Sequence, residues 1–577
     1  MSKFLWVVSK NTLPVETKKK VFSICEELVP SNIIPNEAIV HVSEKVSFGI
    51  SNPKNNVTIN ANSLLVGSFI GDYETWYIPQ SEHPDGSYAL FRENNEFVEV
   101  LSDPAASRTI WYYFDDQLLI ASTSQLAIVR YLGDFEFNHD AIPWILSSGT
   151  LGPSLSWDKR LLRIMSDCSI ILNKKNWTIE KKQTEIAFKE GNENDLFQEN
   201  KLKITLQNIF ENLKLNYSNW ILPLSGGYDS RALLYYLKDR KNEKIKSITW
   251  GKEDALNDPL NDAYIAKRLA KEAEIEHTYL QTNLSNEDID VLINKFVKNG
   301  EGRIDSISGY LDGFKIWEEL NQKNVQGIFR GDVGWTSDRK IHTFFSARKA
   351  VGLTLTSDYL NLQNFSKSGE YKQNLPDYLK NLPGETPETW RDRLYHSFRI
   401  PTVLPSLADL KLGYVEQVNP LLSRDLLELI RKQPTHLRKD KILFKKIVNS
   451  MFPEIPFAKN SALESVNNFL QYPHLKEYLR TNLALMQENE IFNKDFVNNV
   501  GANILSKNKP SPKKNENLIV KIKRLIISPS LKLSLKKIFQ KKSKVKKNEM
   551  DYHLIAFRII LALKTFELFN QKSIRNF

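Results

Sequence analysis

One hexapeptide constrains this chain more than any other stretch. Ser225-Gly226-Gly227-Tyr228-Asp229-Ser230 follows the apolar run Ile221-Leu222-Pro223-Leu224 and precedes the helical pattern RALLYYLKD. Glycines let a backbone turn sharply and approach a ligand with no Cβ in the way. The helix behind the turn starts with unpaired N–H groups and the positive end of its dipole. Hydroxyls on Ser225 and Ser230 add donors, so the stretch predicts a cradle for phosphate or pyrophosphate. Asp229 would repel bare phosphate, but it fits if Mg²⁺ bridges it to phosphate oxygens. An isolated SGG reads as a plain tight turn; the strand–loop–helix context selects nucleotide pyrophosphate binding. No GxxxxGK[ST] occurs, which excludes a Walker A loop.

Around this loop, apolar runs alternate with helical patterns. KIKSITWG and VQGIFRGD read as buried strands, and NDAYIAKRLAKEAEIEH as a helix between them. Such alternation implies a parallel sheet with helices on both faces. Residues 1–180 read differently: VEVLSD, IWYYFDDQLLIASTS and CSIILNKKNWTIEKK are short β-branched and aromatic runs between turns. The predicted class is α/β, β-rich over 1–180 and doubly wound over 181–504. Residues 505–548 read as a basic insertion and 549–577 as a C-terminal helix packing on the second domain. At 577 residues, more than one core is expected.

The net charge of +11 suggests nucleic acid until it is located. Residues 507–548 carry 15 Lys or Arg and one acid, a local +14, leaving −3 for everything else. The main body therefore has no general affinity for polyanions, and no nucleic-acid partner is expected. Two readings stay open for the insertion: contact with a membrane surface or acidic peptide, or a solvated excursion. Cys25 and Cys168 have no metal-site spacing. With no signal-peptide pattern and no long apolar run, a cytoplasmic protein is expected, peripheral to a membrane if the insertion binds one.

The loop LSGGYDS resembles that of the ATP-pyrophosphatase domains, and specifically of asparagine synthetases and their relatives. The resemblance extends to SITWG with the Asp262, Ala266, Ala270 spacing, to IFRGDVG, to GYVEQVNPLLSRDLLELIRKQP and to KILFKKIVNSMFPEIPFAKNS. In the first half, DGSYALF, SDPAASRTIWYY and LLIASTSQLAIV resemble the core of that family's Ntn-type glutaminase domain, which implies an α+β sandwich over 1–180. It covers roughly residues 60–480.

The resemblance implies ATP and Mg²⁺ as cofactors and an acyl-adenylate intermediate. It implies that Leu224, Ser225, Gly226, Gly227, Asp229, Ser230, Trp250 and Gly331 hold ATP, with Leu224 and Trp250 near adenine. Trp250 could equally be a core indole. Metal ligands would be Asp229 and Asp332, with Asp338 as a third only if the second loop is longer, because Trp335 holds the position of the family's later aspartate. Lys459 matches the lysine that stabilises charge in the second half-reaction, and Lys441 is the reserve catalytic candidate beside Asp332. Glu416 reads as a structural ion pair.

The chain departs from the family at its start, Met1-Ser2-Lys3, where a glutaminase needs cysteine at position 2. The first domain is therefore expected to be degenerate and the amine to come from something other than glutamine. Relatives without that cysteine include β-lactam synthetases and lasso peptide cyclases. LSSGTLGPSLSWDKRL and SGGYDSR are closer in pattern to the cyclases, which implies a peptide or amino-acid-derived substrate and a leader-peptide protease partner. The alternatives are a ligase using ammonia or another amine, as in polysaccharide or secondary-metabolite biosynthesis, and a catalytically dead nucleotide-binding scaffold.

Overall fold

The computed structural model describes residues 3–54, 56–238, 245–282, 284–336, 341–463, 470, 472–506 and 548–571. Ser2, Asp338 and residues 507–547 of the basic segment lie outside the described residues, and its first two residues, Leu505 and Ser506, end the helix Lys494–Ser506.

The first half contains two six-stranded antiparallel sheets. One has the order β10-β8-β9-β1-β3-β2 and the other β12-β11-β7-β6-β5-β4. In chain order the strands are β1 (Phe4–Ser9), β2 (Ile39–Val42), β3 (Val46–Ile50), β4 (Val57–Asn60), β5 (Ser63–Phe69) and β6 (Gly86–Glu93). They continue with β7 (Phe97–Ser102), β8 (Trp111–Phe114), β9 (Leu118–Ser122), β10 (Leu162–Arg163), β11 (Cys168–Asn173) and β12 (Thr178–Gln183). Side chains alternate between the faces of a strand, and β1 is buried on both. Phe4, Trp6 and Val8 meet Leu64, Val66, Phe91 and Val100 of the other sheet. Leu5 and Val7 face the opposite way, against the helices Thr17–Glu27 and Gln125–Leu132.

The second half is built on a five-stranded sheet, order β15-β14-β13-β16-β17, in which every neighbouring pair is parallel. Its strands are β13 (Trp220–Pro223), β14 (Lys246–Gly251), β15 (His277–Gln281), β16 (Gly327–Phe329) and β17 (Glu416–Val418). Chain order runs outward from β13 to β15, then restarts beside β13 with β16. Ile221, Ile248 and Ile328 point to one apolar core, whereas Trp220, Leu222, Phe329 and Val418 point to another. Helices therefore cover both faces: Ile289–Gly300 and Lys315–Gln322 on the first, Asp195–Asn212, Tyr228–Lys238 and Asp262–Glu272 on the second. The protein is thus a mixed α/β structure with two antiparallel sheets and one parallel sheet.

Buried polar contacts tie the halves together. Glu416, fully buried on β17, pairs with Arg108 and accepts from Asn56. Lys3 pairs with buried Glu301 at 2.9 Å. Arg424 pairs with Asp167 at 2.6 Å, and its backbone N–H donates to the Asp85 carboxylate at 2.9 Å. The C-terminal helix, Tyr552–Asn570, does more than the sequence reading asks of it. It packs on the second half, but Arg558 also donates to the carbonyls of Leu146 and Ser147, and Phe569 meets Phe135 at 5.3 Å. No described helix is long and apolar enough to cross a membrane.

Candidate active site at the carboxyl ends of the parallel strands

In an open parallel sheet, ligands bind outside the carboxyl ends of the strands, where the winding direction reverses. Here that point lies between β13 and β16. The chain leaves β13 through Leu224 into Ser225–Ser230, and leaves β16 through Arg330 into Gly331 and Asp332. Two loops some hundred residues apart in sequence are thereby brought side by side. A Cβ on Gly331 would sit 3.5 Å from the Asp229 Cβ, the ordinary contact distance of packed loops.

The first loop is held by its own polar groups. The Ser225 N–H donates to the Ser230 hydroxyl at 3.2 Å, the Ser230 hydroxyl donates to the Ser225 carbonyl at 3.0 Å, and the Gly227 N–H donates to the Ser225 hydroxyl at 3.3 Å. The Gly226 N–H donates to the Asp262 carboxylate at 3.1 Å. Burial pushes the Asp262 carboxyl up, and that hydrogen bond opposes the shift. Gly226 is glycine for packing reasons: an added Cβ would lie 2.5 Å from the Ala458 Cβ and 2.9 Å from that of Ile265.

Asp229 occupies the first turn of the helix Tyr228–Lys238. Burial pushes its carboxyl up, Lys441 opposes this, and the nearby Asp332 reinforces it. The Lys441 ammonium donates to both Asp229 oxygens, at 2.9 and 2.7 Å. Lys441 reaches them from a strained backbone, because Asp440 (φ 51°) and Lys441 (φ 58°) are consecutive non-glycine residues in the left-handed region. Asp332 is held in the fork of Arg330, at 3.2 Å to each oxygen, and accepts from Asn419 at 3.2 Å.

Beyond Asp332 the second loop turns inward. His396 bonds the Gly334 carbonyl at 2.8 Å. Burial, reinforced by Arg431, holds its imidazole well below the usual range, so it is the neutral ring that donates there. Trp335 is a core residue, stacked on Phe444 at 4.9 Å with its indole N–H on Gln433.

Lys459 lies on the segment that closes over the first loop. Ala458 donates to the Gly226 carbonyl at 3.1 Å and the Lys459 N–H to the Leu260 carbonyl at 2.8 Å, while the Lys459 side chain is exposed. Arg231 fixes this segment from below: it donates to the carbonyls of Ile455 and Pro456 and lies 3.8 Å from the Phe457 ring centroid. Leu224 is a core side chain, its N–H donating to the Ile248 carbonyl. Trp250, half-buried at the end of β14, meets Trp317 edge-on at 5.4 Å.

The fold thus gathers Ser225, Gly226, Gly227, Asp229, Ser230, Gly331, Asp332 and Lys441, and sets the Lys459 backbone beside them. Leu224 and Trp250 belong to the packing beneath. Sequence reasoning passed over Arg330, Asn419, Tyr395 and Arg399, and named Asp262 only as part of a helix spacing, with no role at the loop. Tyr395 and Arg399 stand on a π-helical segment, Tyr395–Val403, that contains Pro401, and no local pattern announced it. Asp262 carries a visible signal, an acid one residue after the N-cap Asn261, but its bond to Gly226 is tertiary.

No protein-family model matches the chain, and no curated protein does either. Among solved structures, one match is described as the allosteric regulatory enzyme of purine biosynthesis. It shares 10% identity and covers 50% of this chain and 82% of that one, at a TM-score of 0.21. Another is a glutamine phosphoribosylpyrophosphate amidotransferase from B. subtilis complexed with ADP and GMP. It also shares 10% identity, over 48% of this chain and 65% of that one, at a TM-score of 0.21. Likeness at that level assigns no function, so the functional reading rests on the site.

Proposed function

We propose that this chain is an ATP-dependent carbon–nitrogen ligase that activates a carboxylate as an acyl-adenylate and releases AMP and pyrophosphate. In its sharpest form it closes a macrolactam in a ribosomal peptide. The carrying observation is the meeting of the SGGYDS loop with Gly331-Asp332 at the switch point, with Asp229, Asp332 and Lys441 converging there. In this reading the first half is a degenerate Ntn-type glutaminase domain and the second an ATP-pyrophosphatase domain.

Mg²⁺ is usually held by one or two carboxylates plus substrate phosphate oxygens. Among the described residues no cluster of three His, Cys, Asp or Glu could hold a metal unaided. Asp229 and Asp332 on touching loops fit the two-carboxylate mode, and side-chain-free Gly331 leaves room between them. Bound there, Mg²⁺ would neutralise charge growing on the departing pyrophosphate.

The chain's own groups do the rest. The first turn of the helix Tyr228–Lys238 and the Ser225 and Ser230 hydroxyls seat the phosphates, and Lys441 exchanges Asp229 for a phosphate oxygen when the nucleotide arrives. A substrate carboxylate oxygen then bonds to the α-phosphorus as the bond to the β-phosphate oxygen breaks. In the second half-reaction an amine nitrogen bonds to the acyl carbon, the bond to AMP breaks, and the amine proton leaves to solvent. Lys459 is the cation for the charge that collects in that step.

The test is product analysis with a panel of carboxylate and amine substrates. AMP and pyrophosphate in equal amounts support the reading, and ADP with phosphate removes it.

A further inference from the structure

Beside Asp229, away from the sheet, lies a cavity of about 410 Å³ whose lining includes Lys349, Arg391, Arg399 and Lys441, together with Tyr395 and Trp335. Among the described residues no carboxylate lines it. The four cations come from four segments: the helix Phe344–Ala350, the helix Pro387–Leu394, the π-helical segment, and the strained turn at Lys441.

Their partners do not balance them. Lys441 pairs with Asp229. Arg391 pairs with its neighbour Asp392 at 2.7 Å, but Asp392 also accepts from Arg438 at 2.8 Å and from Thr336 at 2.8 Å. Among the described residues neither Lys349 nor Arg399 has a carboxylate partner; Arg399 donates to the Val351 carbonyl at 3.4 Å. Among the described residues, two carboxylates, one of them shared with a fifth cation, therefore pair with four positive charges. A concave wall of one sign concentrates the opposite sign. Guanidinium forks suit oxyanions because two parallel N–H groups meet two oxygens.

We infer that this cavity is a binding site for a multiply charged oxyanion, contiguous with the nucleotide loop through Lys441. It rests on the ligase reading only for the source of that anion: pyrophosphate leaving the loop, or carboxylates carried by the substrate. Either source places the anion against Lys349 and Arg399, which belong to no motif of the loop.

Calorimetry on the full chain at low salt tests this with two probes, inorganic pyrophosphate and the dicarboxylate glutarate. At least one is expected to bind once per chain. Lys349→Gln and Arg399→Gln should each weaken it about tenfold or more, as expected for loss of a charge-assisted bond. Lys349 is exposed, so its variant folds whatever happens at Arg399. Tighter pyrophosphate assigns the cavity to the leaving group, and tighter glutarate assigns it to substrate carboxylates. The inference is overturned if neither probe binds. It is also overturned if binding is unchanged in both variants, including the case where Gly226→Ala alone abolishes it and so confines the anion to the loop. Absence of AMP formation alongside Arg399-dependent anion binding would remove the ligase reading and leave the cavity assignment standing.

Discussion

Lys441 and Asp229, 212 residues apart in sequence, form a two-oxygen ion pair at 2.9 and 2.7 Å across the mouth of the SGGYDS loop. The pair opposes, without cancelling, the burial that pushes this half-buried carboxyl up. Lys441→Met removes the opposing cation. The rate of AMP formation should fall about a hundredfold. Because Asp229 must be ionised to act, its acidic limb in the pH–rate profile should move to higher pH. A variant with unchanged rate and profile would mean that the pair is only structural.

Gly226→Ala drives a methyl group into Ala458 and Ile265. Overpacking of this kind costs about 1–3 kcal/mol. It should also displace the segment carrying Lys459, so activity should fall by more than stability does. Adding Ala458→Gly removes the nearest obstacle, and the double variant should regain part of both. No recovery would mean that Ile265, not Ala458, sets the limit.

Arg231→Lys keeps the charge but loses the planar fork that reaches two carbonyls while lying against Phe457. The melting temperature should drop and the second half-reaction should slow more than the first. Isotope exchange between pyrophosphate and ATP reports the first step alone. If both steps slow equally, Arg231 does not act through the Lys459 segment.

Asp85 caps the helix Arg424–Lys432 from the other half of the molecule, accepting from the Arg424 N–H with both oxygens. Burial pushes its carboxyl up to about 7 from an ordinary 3.8, against the pull of Arg424 and the Gly86 N–H. The folded state therefore holds a proton that the unfolded state has released between those two values. Its contribution to stability is complete below 3.8 and is lost as pH rises through 7. Asp85→Asn should flatten that part of the stability profile relative to the parent, as read by urea denaturation between pH 4 and 8. Parallel profiles would contradict the assignment.

Cys25 lies under the first sheet, and burial pushes its thiol up to about 12; Cys168 is likewise buried and raised. Neither should react with iodoacetamide in the native protein at pH 8, and both should react in denaturant. Rapid native labelling at either position would show that the first half opens.

The loop SGGYDS, the strands flanking it and the helix behind it were legible because local sequence builds them: an apolar run, two glycines and a helical period. In the first half β7, β8, β9, β11 and β12 were legible as β-branched and aromatic runs between turns, whereas the strands of residues 4–69 have no such clear punctuation. β17 was not, since three residues inside GYVEQVNP become a strand only by pairing with β16. The π-helical segment was hidden by Pro401, which reads as a break, yet it carries Tyr395, His396 and Arg399. Trp335 occupies a place where the resemblance expects an aspartate, and its burial against Phe444 shows that the second loop turns into the core there. The partners that shape the site, Lys441 on Asp229 and Asp262 on Gly226, are tertiary, and no window of sequence contains them.

The most direct measurement of the central claim is the identity of the nucleotide products when the full chain, Mg²⁺ and ATP meet a carboxylate substrate and an amine. AMP and pyrophosphate are expected in equal amounts, with Asp229→Asn reducing both about a hundredfold or more while the melting temperature stays near that of the parent. ADP and phosphate, or AMP formation indifferent to Asp229, would contradict it.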